Sequence, residues 1–393
     1  MINEKMYALG AAPSAIRQLF AYGLGRKAEI GADKVFDFSL GNPSVPAPPQ
    51  IAEAIRELSE LPADKLHGYT PSQGSASTRA IIADDLNERF GGGYSADDLY
   101  LTMGAAASLD ICINALTVPG DEIIVIAPYF PEYRMWIEAA GVRCVQVNAR
   151  ESDFQIDAPA VAAAITERTR AVIVNSPNNP VGTVFSRENL AELAEVLSAA
   201  SEANGEPIYI ISDEPYRELN YTGEPTPWVP SIYPNTLVCY SWSKSLSLPG
   251  ERIGYVLVGP DVTDSRRVYL AVCGAGRALG YICAPTLFQA VIERCIKAPV
   301  DVEAYVVNRK TLTEGLAELG YEFIEPQGAF YLWVKALEPD AQAFADRAKA
   351  HELLLVPSDS FGVGGWVRIG YCVAHDVIVN SIPAFKALME EYR

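Results

Sequence analysis

One lysine has the setting of a nucleophile, because it lies between two apolar runs. Lys244 follows residues 236–240 and precedes residues 253–258, and both runs have the composition of buried strands. Small hydroxyl residues surround the lysine, and a Pro-Gly turn at 249–250 leads to Arg252. An amine at the end of a buried strand is partly desolvated, which favours its neutral, nucleophilic form. The same residues are also compatible with an exposed loop of serine and lysine.

The neighbours of Lys244 also have the chemistry of a phosphate site. Ser241 and Ser243 supply hydroxyl donors, and the planar guanidinium of Arg252 can bind two oxygens at once. An amine that can form a Schiff base beside a phosphate clamp is what pyridoxal phosphate requires. This stretch therefore predicts a site for that cofactor.

Other polar and aromatic residues follow apolar runs in the way that a cofactor site would need. Asp213 comes directly after the apolar run 208–212 and is either a turn residue or the acidic partner of a pyridine nitrogen. Tyr216 and Asn179 could each donate a hydrogen bond to the phenolic oxygen of such a ring, although Asn179 also suits an ordinary turn. Tyr129 is either an aromatic at the edge of the core or a ring that stacks on the cofactor.

A candidate carboxylate site occurs late in the chain. Arg368 lies inside a short apolar, strand-like run at 367–369. Burying an arginine without a partner is costly, so we expect this guanidinium to bind an anion. Bidentate capture of a substrate α-carboxylate is the functional interpretation, with Arg277 or Arg17 as the next candidates.

The order of the elements predicts an α/β fold with a second domain. Apolar strands alternate with amphipathic helices, which indicates a mainly parallel sheet that is covered by helices on both faces. The candidate residues follow strand ends, where open α/β sheets bind their ligands. Long helices and short strands replace this pattern beyond Pro285. We expect a large cofactor-binding domain at 45–300 and a smaller α+β domain formed by 1–44 and 301–393.

Composition narrows the class of protein. Hydrophobic residues make up 49% of the 393 residues, which is enough for a large core, and the formal net charge of −18 argues against nucleic-acid and anionic-membrane partners. The seven cysteines are scattered, so we expect reduced thiols, and the three distant histidines with no Cys-x-x-Cys predict no metal site. No apolar run approaches the roughly 20 residues that span a bilayer, and residues 1–20 lack the basic start and apolar stretch of a signal peptide. These features predict a cytoplasmic protein.

Taken in order, these residues resemble the fold-type I pyridoxal-phosphate enzymes, specifically the class I and II aminotransferases. The resemblance runs from Ser-Leu-Gly-Asn-Pro at 39–43 to Arg368, and it is most specific at Ser-Pro-Asn-Asn-Pro-Val-Gly, 176–182, and at 241–254. It implies a seven-stranded, mainly parallel sheet with a smaller α+β domain, pyridoxal 5′-phosphate as cofactor, and a homodimer. It also implies a ping-pong aminotransferase.

The resemblance assigns roles to the candidate residues. Lys244 would form the Schiff base and transfer the proton, and Asp213 would pair with the pyridine nitrogen. Tyr216 and Asn179 would contact the phenolic oxygen, with Tyr216 counted among the catalytic residues. Tyr129 would stack on the ring.

The resemblance also assigns the phosphate site. Ala105, Ala106, Ser241 and Arg252 would hold the phosphate, and Tyr69 would reach the phosphate of the neighbouring subunit. Two departures from the family pattern bear on this site. The small residues at 105–107 lack hydroxyl or amide side chains, and 273–280 differs from the usual Ser/Thr-rich interface loop.

The substrate site follows from the same resemblance. Gly41, Asn179 and Arg368 would bind the substrate carboxylate, and Val181 replaces the more usual threonine. An aspartate-type donor with 2-oxoglutarate as acceptor is the expected pair, and the distal carboxylate of these substrates needs a second cation. Arg277, in a glycine-flanked loop, is the candidate, although a solvated loop arginine is an equal alternative. An apolar or aromatic donor would contact residues elsewhere, at Phe20, Tyr22 and Phe330.

Alternative functions remain open at this stage. The glycines at 274–280 resemble a dinucleotide fingerprint with 268–273 as its strand, but the third glycine is one position late and no aspartate follows about 20 residues on. A ligand-sensing regulator on this fold would need a basic DNA-binding segment. A carbon–sulfur β-lyase, a racemase, a decarboxylase, and an alanine or aromatic aminotransferase share the residues around Lys244.

Overall fold

A computed structural model describes residues 1–11 and 14–393, which separate into two compact units. The central unit comprises Val45–Asn178 and Thr183–Asp301. The terminal unit comprises Met1–Ser44, Asn179–Gly182 and Val302–Arg393. Among these residues, the central unit has one sheet and the terminal unit has two.

The helices and strands of the described residues are as follows. The helices are α1 (Glu4–Ala11), α2 (Ala15–Ile30), α3 (Pro49–Ser59), α4 (Ala63–His67), α5 (Ala76–Phe90), α6 (Ala105–Leu116), α7 (Glu132–Ala139), α8 (Ala158–Ala164), α9 (Arg187–Asn204), α10 (Ser265–Ala278), α11 (Thr286–Cys295), α12 (Glu303–Leu319), α13 (Ala341–Ala350) and α14 (His375–Glu390). The strands are β1 (Phe36–Asp37), β2 (Leu99–Thr102), β3 (Glu122–Ala127), β4 (Arg143–Asn148), β5 (Thr169–Asn175), β6 (Tyr209–Asp213), β7 (Thr236–Ser241), β8 (Gly254–Val258), β9 (Phe323–Ile324), β10 (Tyr331–Lys335), β11 (Leu353–Leu354), β12 (Val356–Pro357) and β13 (Trp366–Gly370).

The central unit is built on a seven-stranded sheet with the strand order β2-β8-β7-β6-β5-β3-β4. Neighbours from β4 to β7 are parallel, and β8 is antiparallel to both β7 and β2. Every residue of β3 and β7 is buried, as expected for strands covered on both faces. The predicted α/β fold with a mainly parallel sheet is therefore confirmed.

Two hydrophobic clusters cover one face of this sheet. Over β5 and β6, Val172, Val174 and Ile210 pack with Leu190 and Leu193 of α9. Over β7 and β8, Val238, Tyr240 and Tyr255 belong to a cluster with residues of α5 and α11. The register places both clusters on the same face, because Val174, Ser212 and Val238 lie side by side. Since the apolar residues lie within the sheet, the polar residues that end the strands are left at its edge.

The carboxyl ends of β5, β6 and β7 lie side by side. Asn175, the last residue of β5, is in register with Asp213, the last residue of β6. Asp213 is in register with Cys239, two residues before the end of β7 at Ser241. This edge therefore brings together polar residues that are far apart in the sequence.

The terminal unit contains a four-stranded antiparallel sheet in the order β12-β13-β10-β9 and a parallel pair of β1 and β11. Arg368 lies in the centre of β13, opposite Trp333 of β10 and Val356 of β12. Its position in a central strand explains why this arginine is buried.

The segment 273–280 was expected to be a loop, and this expectation is wrong. Residues up to Ala278 belong to α10, so Arg277 is an exposed residue in the last helical turn. A Cβ at Gly276 would overlap the hydroxyl of Tyr100, so close packing requires the glycine. The alternative of a dinucleotide fingerprint requires a strand at 268–273, and these residues are helical. No described helix combines the length and the apolar character needed to span a bilayer.

Candidate active site

The predicted cofactor residues of the central unit gather at the carboxyl edge of its sheet. Lys244 lies in the turn after β7, with its Nζ 5.8 Å from the ring centre of Tyr216. Tyr216 is buried in the turn that follows β6. Asp213 ends β6 itself. The structure therefore brings the three residues of the predicted catalytic set to one edge.

Asp213 is a buried carboxyl group with only half of its hydrogen-bonding capacity used. Its Oδ2 accepts hydrogen bonds from the hydroxyl of Tyr133 and from Nδ2 of Asn175, the latter at 3.4 Å. Asn175 Nδ2 also donates to the Asp213 carbonyl oxygen at 2.8 Å. Among the described residues, Asp213 Oδ1 has no partner.

This environment disfavours the charged form of Asp213. Burial raises the pKa of Asp213 to about 7, and the hydrogen bond from Tyr133 only partly offsets that rise. A cation that faces Oδ1 would restore the carboxylate. The protonated pyridine nitrogen of pyridoxal phosphate is a cation with one N–H to donate, so the residues fit that group.

Tyr133 and Asn175 were not identified from the sequence. Asn175 ends an apolar strand as Asp213 does, and that signal was available. Tyr133 is buried in α7, and its contact with Asp213 spans 80 positions of the chain. Nothing in its local sequence points to that partner.

Two consecutive aromatic residues lie after β3. Tyr129 is buried, and its hydroxyl accepts a hydrogen bond from Arg134 Nε at 3.0 Å and lies 3.4 Å from Gln146 Oε1. Phe130 makes an edge-to-face contact with Tyr133 at 5.7 Å, next to the Asp213 interaction. Phe130 was not singled out from the sequence, and with Trp136 it is one of two aromatic residues whose rings contact Tyr133.

The predicted phosphate site is a cradle of backbone and guanidinium. Gly104 precedes α6, and among the described residues no side chain caps the free N–H groups of Ala105 and Ala106. A Cβ at Gly104 would lie 2.7 Å from Arg252 Nη2, so the guanidinium lies against the helix N-terminus. Helix N-termini favour anions, and a guanidinium adds charge-assisted hydrogen bonds. The cradle fits a phosphate group.

Three further residues complete the account of the predicted cofactor site. Ser241 is buried and its Oγ donates to Ser243 Oγ at 3.0 Å. Arg252 is exposed, has a φ of 54° and donates from Nη1 to the carbonyl of Pro249 at 2.8 Å. Tyr69 is 98% exposed in this single chain.

The predicted carboxylate site lies in the terminal unit. Arg368 is 2% exposed, and it donates to Asn179 Oδ1 at 3.0 Å and to the Ser39 carbonyl at 2.6 Å. Its Nε has no partner among the described residues, and no described carboxylate pairs with its guanidinium. A buried cation held only by neutral oxygens is prepared to bind an anion.

The Tyr331 side chain lies close to the backbone of Gly41 and to the guanidinium of Arg368. The Arg368 guanidinium carbon lies 4.5 Å from the centre of the Tyr331 ring. A Cβ at residue 41 would overlap the Tyr331 hydroxyl, so only glycine fits there. Tyr331 follows Phe330 in sequence, and only the fold reveals these contacts.

Comparisons with known proteins agree on one family. Residues 33–380 match the family model described as aminotransferase class I and II. The chain is similar to an aminotransferase from Eubacterium rectale of known crystal structure, with 54% identity, a TM-score of 0.97, and coverage of 100% of this chain and 99% of that chain. It is 30% identical to the aspartate/prephenate aminotransferase of Thermus thermophilus over 357 residues, 89% of each chain. It is also 32% identical to the arginine–pyruvate transaminase of Pseudomonas aeruginosa over 353 residues, 86% of each chain.

Replacement of Asp213 by asparagine should change how stability depends on pH in the cofactor-free protein. An acid whose pKa is higher in the folded chain stabilises the fold below its unfolded pKa, near 3.8, and loses this contribution as pH rises through about 7. The Asp213→Asn variant has no acid at this position and therefore does not lose this stability. As pH rises from about 3.8 to about 7, the difference in unfolding free energy between variant and wild type should shift in favour of the variant by up to roughly 4 kcal/mol. Urea unfolding at several pH values measures this shift.

Asp346→Asn is the control of opposite sign. Asp346 has a lowered pKa because of its hydrogen bonds to Lys349 and Gln342, which outweigh burial, so its contribution is lost as pH falls. If the stability of Asp213→Asn and wild type changed in parallel with pH, Asp213 would not be the raised acid.

Gly104→Ala should weaken the anion cradle. Alanine at a φ of 84° costs about 1–2 kcal/mol, and its Cβ would displace the Arg252 guanidinium. We expect the affinity of the cofactor-free protein for pyridoxal phosphate to fall by about tenfold or more. Gly250→Ala is the matched control, since a Cβ at that position would meet no atom within 4 Å. Equal affinities for the two variants would rule out the cradle.

Proposed function

The chain belongs to the class I and II aminotransferase family, and we propose that it transfers the amino group of an aspartate-type L-amino acid to a 2-oxo acid such as 2-oxoglutarate. Enzymes of this family depend on pyridoxal phosphate. When bound, the cofactor carries the amino group between the two substrates and its protonated ring withdraws electrons from the substrate carbon. The buried, carboxylate-free guanidinium of Arg368 is the observation that supports amino-acid and oxo-acid substrates most directly.

Lys244 is proposed to hold the cofactor and to move the proton. Its amine would anchor the cofactor as a Schiff base and, once displaced by the amino donor, take the proton from the substrate Cα. Its position at the carboxyl edge near Tyr216 supports this role. Tyr216 would donate its hydroxyl hydrogen to the phenolic oxygen.

Asp213 is proposed to keep the pyridine nitrogen protonated through Oδ1. Tyr133 and Asn175 occupy Oδ2, which leaves Oδ1 as the acceptor for the ring. Phe130 joins Tyr129 as a candidate for the aromatic residue against the ring, because Phe130 contacts Tyr133. Ala105, Ala106, Ser241 and Arg252 are proposed to bind the phosphate.

Arg368 is proposed to bind the substrate α-carboxylate. Asn179 and Ser39 fix two of its nitrogens, and the Tyr331 ring lies against its guanidinium. A guanidinium fixed in this way loses little side-chain entropy when the anion binds. Gly41 would allow the substrate close to the backbone.

The aspartate-type donor is proposed because of the likeness to the aspartate/prephenate aminotransferase. The likeness to the arginine–pyruvate transaminase makes a basic donor the main competing outcome of the test. Arg277, at the exposed end of α10, stays the candidate for the distal carboxylate. Release of a thiol or of pyruvate without an acceptor would instead indicate a carbon–sulfur lyase.

We further propose that the protein is a homodimer and acts in the cytoplasm. A tyrosine that is 98% exposed suits the predicted role of Tyr69 at the phosphate of a second copy. All seven cysteines lie among the described residues and are free, which suits a reducing compartment.

Lys244→Ala should abolish both turnover and the absorbance of the lysine-bound cofactor. Without the amine, neither the anchor nor the proton acceptor exists, so the rate should fall at least about 1000-fold. Steady-state assays and absorbance spectra of the purified variant measure the two effects. Lys386→Ala, at an exposed residue of α14, is the control and should behave as wild type. Transamination by Lys244→Ala would contradict the assignment.

Arg368→Lys should raise KM for every amino donor, because an ammonium group cannot reproduce the two-bond fork. Half-reaction rates with aspartate, alanine, methionine, tyrosine and arginine identify the donor, and the KM for the best donor should rise roughly tenfold or more in the variant. In the same assay Arg277→Ala should affect only dicarboxylates. An unchanged KM in Arg368→Lys would place the carboxylate site elsewhere.

A further inference from the structure

A buried network of charged and hydroxyl groups lies within the central unit beside the candidate cofactor residues. We call it the Glu218 network, and its members are Arg89, Ser212, Glu214, Arg217, Glu218, Tyr240, Ser245 and Tyr255. Most of these side chains are buried, and Arg217 and Glu214 are each 3% exposed. None of them belongs to the predicted cofactor set.

The network alternates in sequence with the predicted cofactor residues. Asp213 lies between Ser212 and Glu214, and the backbone N–H of Glu214 still bonds to the Cys239 carbonyl at 2.9 Å. Successive side chains of an extended strand point to opposite faces of a sheet. The network is therefore anchored on the face opposite to Asp213.

The first part of the network closes the turn that carries Tyr216. Glu214 accepts from Ser212 Oγ at 2.6 Å and from Arg217 Nε at 2.6 Å. Arg217 Nη1 also lies 3.2 Å from the Tyr255 hydroxyl. Because Glu214 and Arg217 flank Tyr216, their ion pair fixes the backbone on both sides of it.

The second part reaches the residue next to Lys244. Tyr240 Oη lies 3.0 Å from Glu218 Oε2 and 2.9 Å from Ser245 Oγ, and Arg89 Nη2 donates to Glu218 Oε1 at 3.0 Å. A carboxylate can only accept, so the single hydroxyl hydrogen of Tyr240 is donated to Glu218. Ser245 must therefore donate to Tyr240, which gives the chain of hydrogen bonds one direction.

Three backbone hydrogen bonds of the turn that carries Lys244 are long. The N–H groups of Trp242, Leu246 and Leu248 make backbone hydrogen bonds of 3.4, 3.3 and 3.3 Å. These lengths lie at the long end of the range for N–H···O bonds, where they are weak. The side-chain bond from Ser245, at 2.9 Å, is shorter than any of them.

We propose that Glu218 is a positioning residue for Lys244, which acts through Tyr240 and Ser245 to hold the turn at 242–245. This inference rests on the proposed role of Lys244 as the residue that holds the cofactor. Glu218 fixes Tyr240, Tyr240 fixes Ser245, and Ser245 limits the positions open to the adjacent lysine. Arg89 holds Glu218 from α5, and the Arg217 guanidinium lies 4.5 Å from the centre of the Tyr240 ring.

Removal of one hydroxyl can break this chain without disturbing the packing. Tyr240→Phe keeps the ring, which stacks on Tyr255 at 5.2 Å. A cavity of about 270 Å³ adjoins Tyr240, Ser245 and Glu218, so water can enter and the side chains need not collapse. Ser245→Ala breaks the chain at its other end and serves as the second variant.

The test compares these variants as holoenzymes, with kcat expressed per bound cofactor. Tyr240→Phe and Ser245→Ala should each lower kcat about tenfold and speed the release of cofactor by a similar factor, because a loosened lysine is less often in place. KM for the amino donor should stay unchanged, since Arg368 is intact. Glu218→Gln keeps an acceptor for Tyr240, so its effect should be smaller than that of Glu218→Leu.

Tyr94→Phe is the matched control. Tyr94 belongs to the same hydrophobic cluster, and its hydroxyl accepts from Trp228 Nε1 at 2.9 Å without contact to Ser245. It should lower thermal stability but leave kcat per bound cofactor and cofactor release unchanged. Wild-type values in both Tyr240→Phe and Ser245→Ala, or equal losses in Tyr94→Phe, would overturn the inference. If Lys244→Ala still catalysed transamination, the proposed function itself would fail, which is a distinguishable result.

Discussion

The candidate site depends on one physical constraint, a buried carboxyl group that no cation of the described residues pairs with. Asp213 ends a strand in the middle of the seven-stranded sheet, and its Oδ1 has no partner among the described residues. Burial of such a group is unfavourable unless a positive charge compensates it, and its raised pKa expresses that cost. In the proposed function, the protonated ring of the cofactor would supply the missing positive charge at Oδ1.

The sheet places that carboxyl group and the candidate nucleophile, Lys244, at the same edge. Register aligns Asn175 with Asp213 across β5 and β6, and the turn after β7 brings Lys244 to the same edge. The strands alternate their side chains, so one face of the edge is available to the cofactor while the other holds Glu214 and its partners. The same strand ends therefore carry the candidate cofactor residues on one face and members of the Glu218 network on the other.

Sequence reasoning succeeded where the signal is local, since the all-apolar strands predicted the mainly parallel sheet. Asp213 and Lys244 lie at one edge of this sheet, as their positions after apolar strands suggested, and their roles stay predictions. Sequence reasoning missed Tyr133 and Tyr331, because their contacts join residues 80 positions or more apart or arise only from the packing around a glycine.

The mistaken loop at 273–280 has a related cause. Several glycines close together are typical of a loop, whereas Gly276 lies inside α10 at a position where Tyr100 leaves no room for a Cβ. A glycine that permits close packing and a glycine that permits a turn are identical in a sequence. The Glu218 network was also invisible, since Tyr240 looked like one more apolar strand residue until its hydroxyl partners were known.

The protonation state of the cofactor ring tests the role of Asp213 most directly. Nuclear magnetic resonance of holoenzyme loaded with cofactor that carries an isotopic label in its pyridine nitrogen reports whether that nitrogen bears a proton. We predict a protonated nitrogen in wild type near neutral pH, and a neutral nitrogen in Asp213→Asn, because the amide offers no negative charge to balance the ring. A neutral nitrogen in wild type, or the same signal in both proteins, would contradict this role.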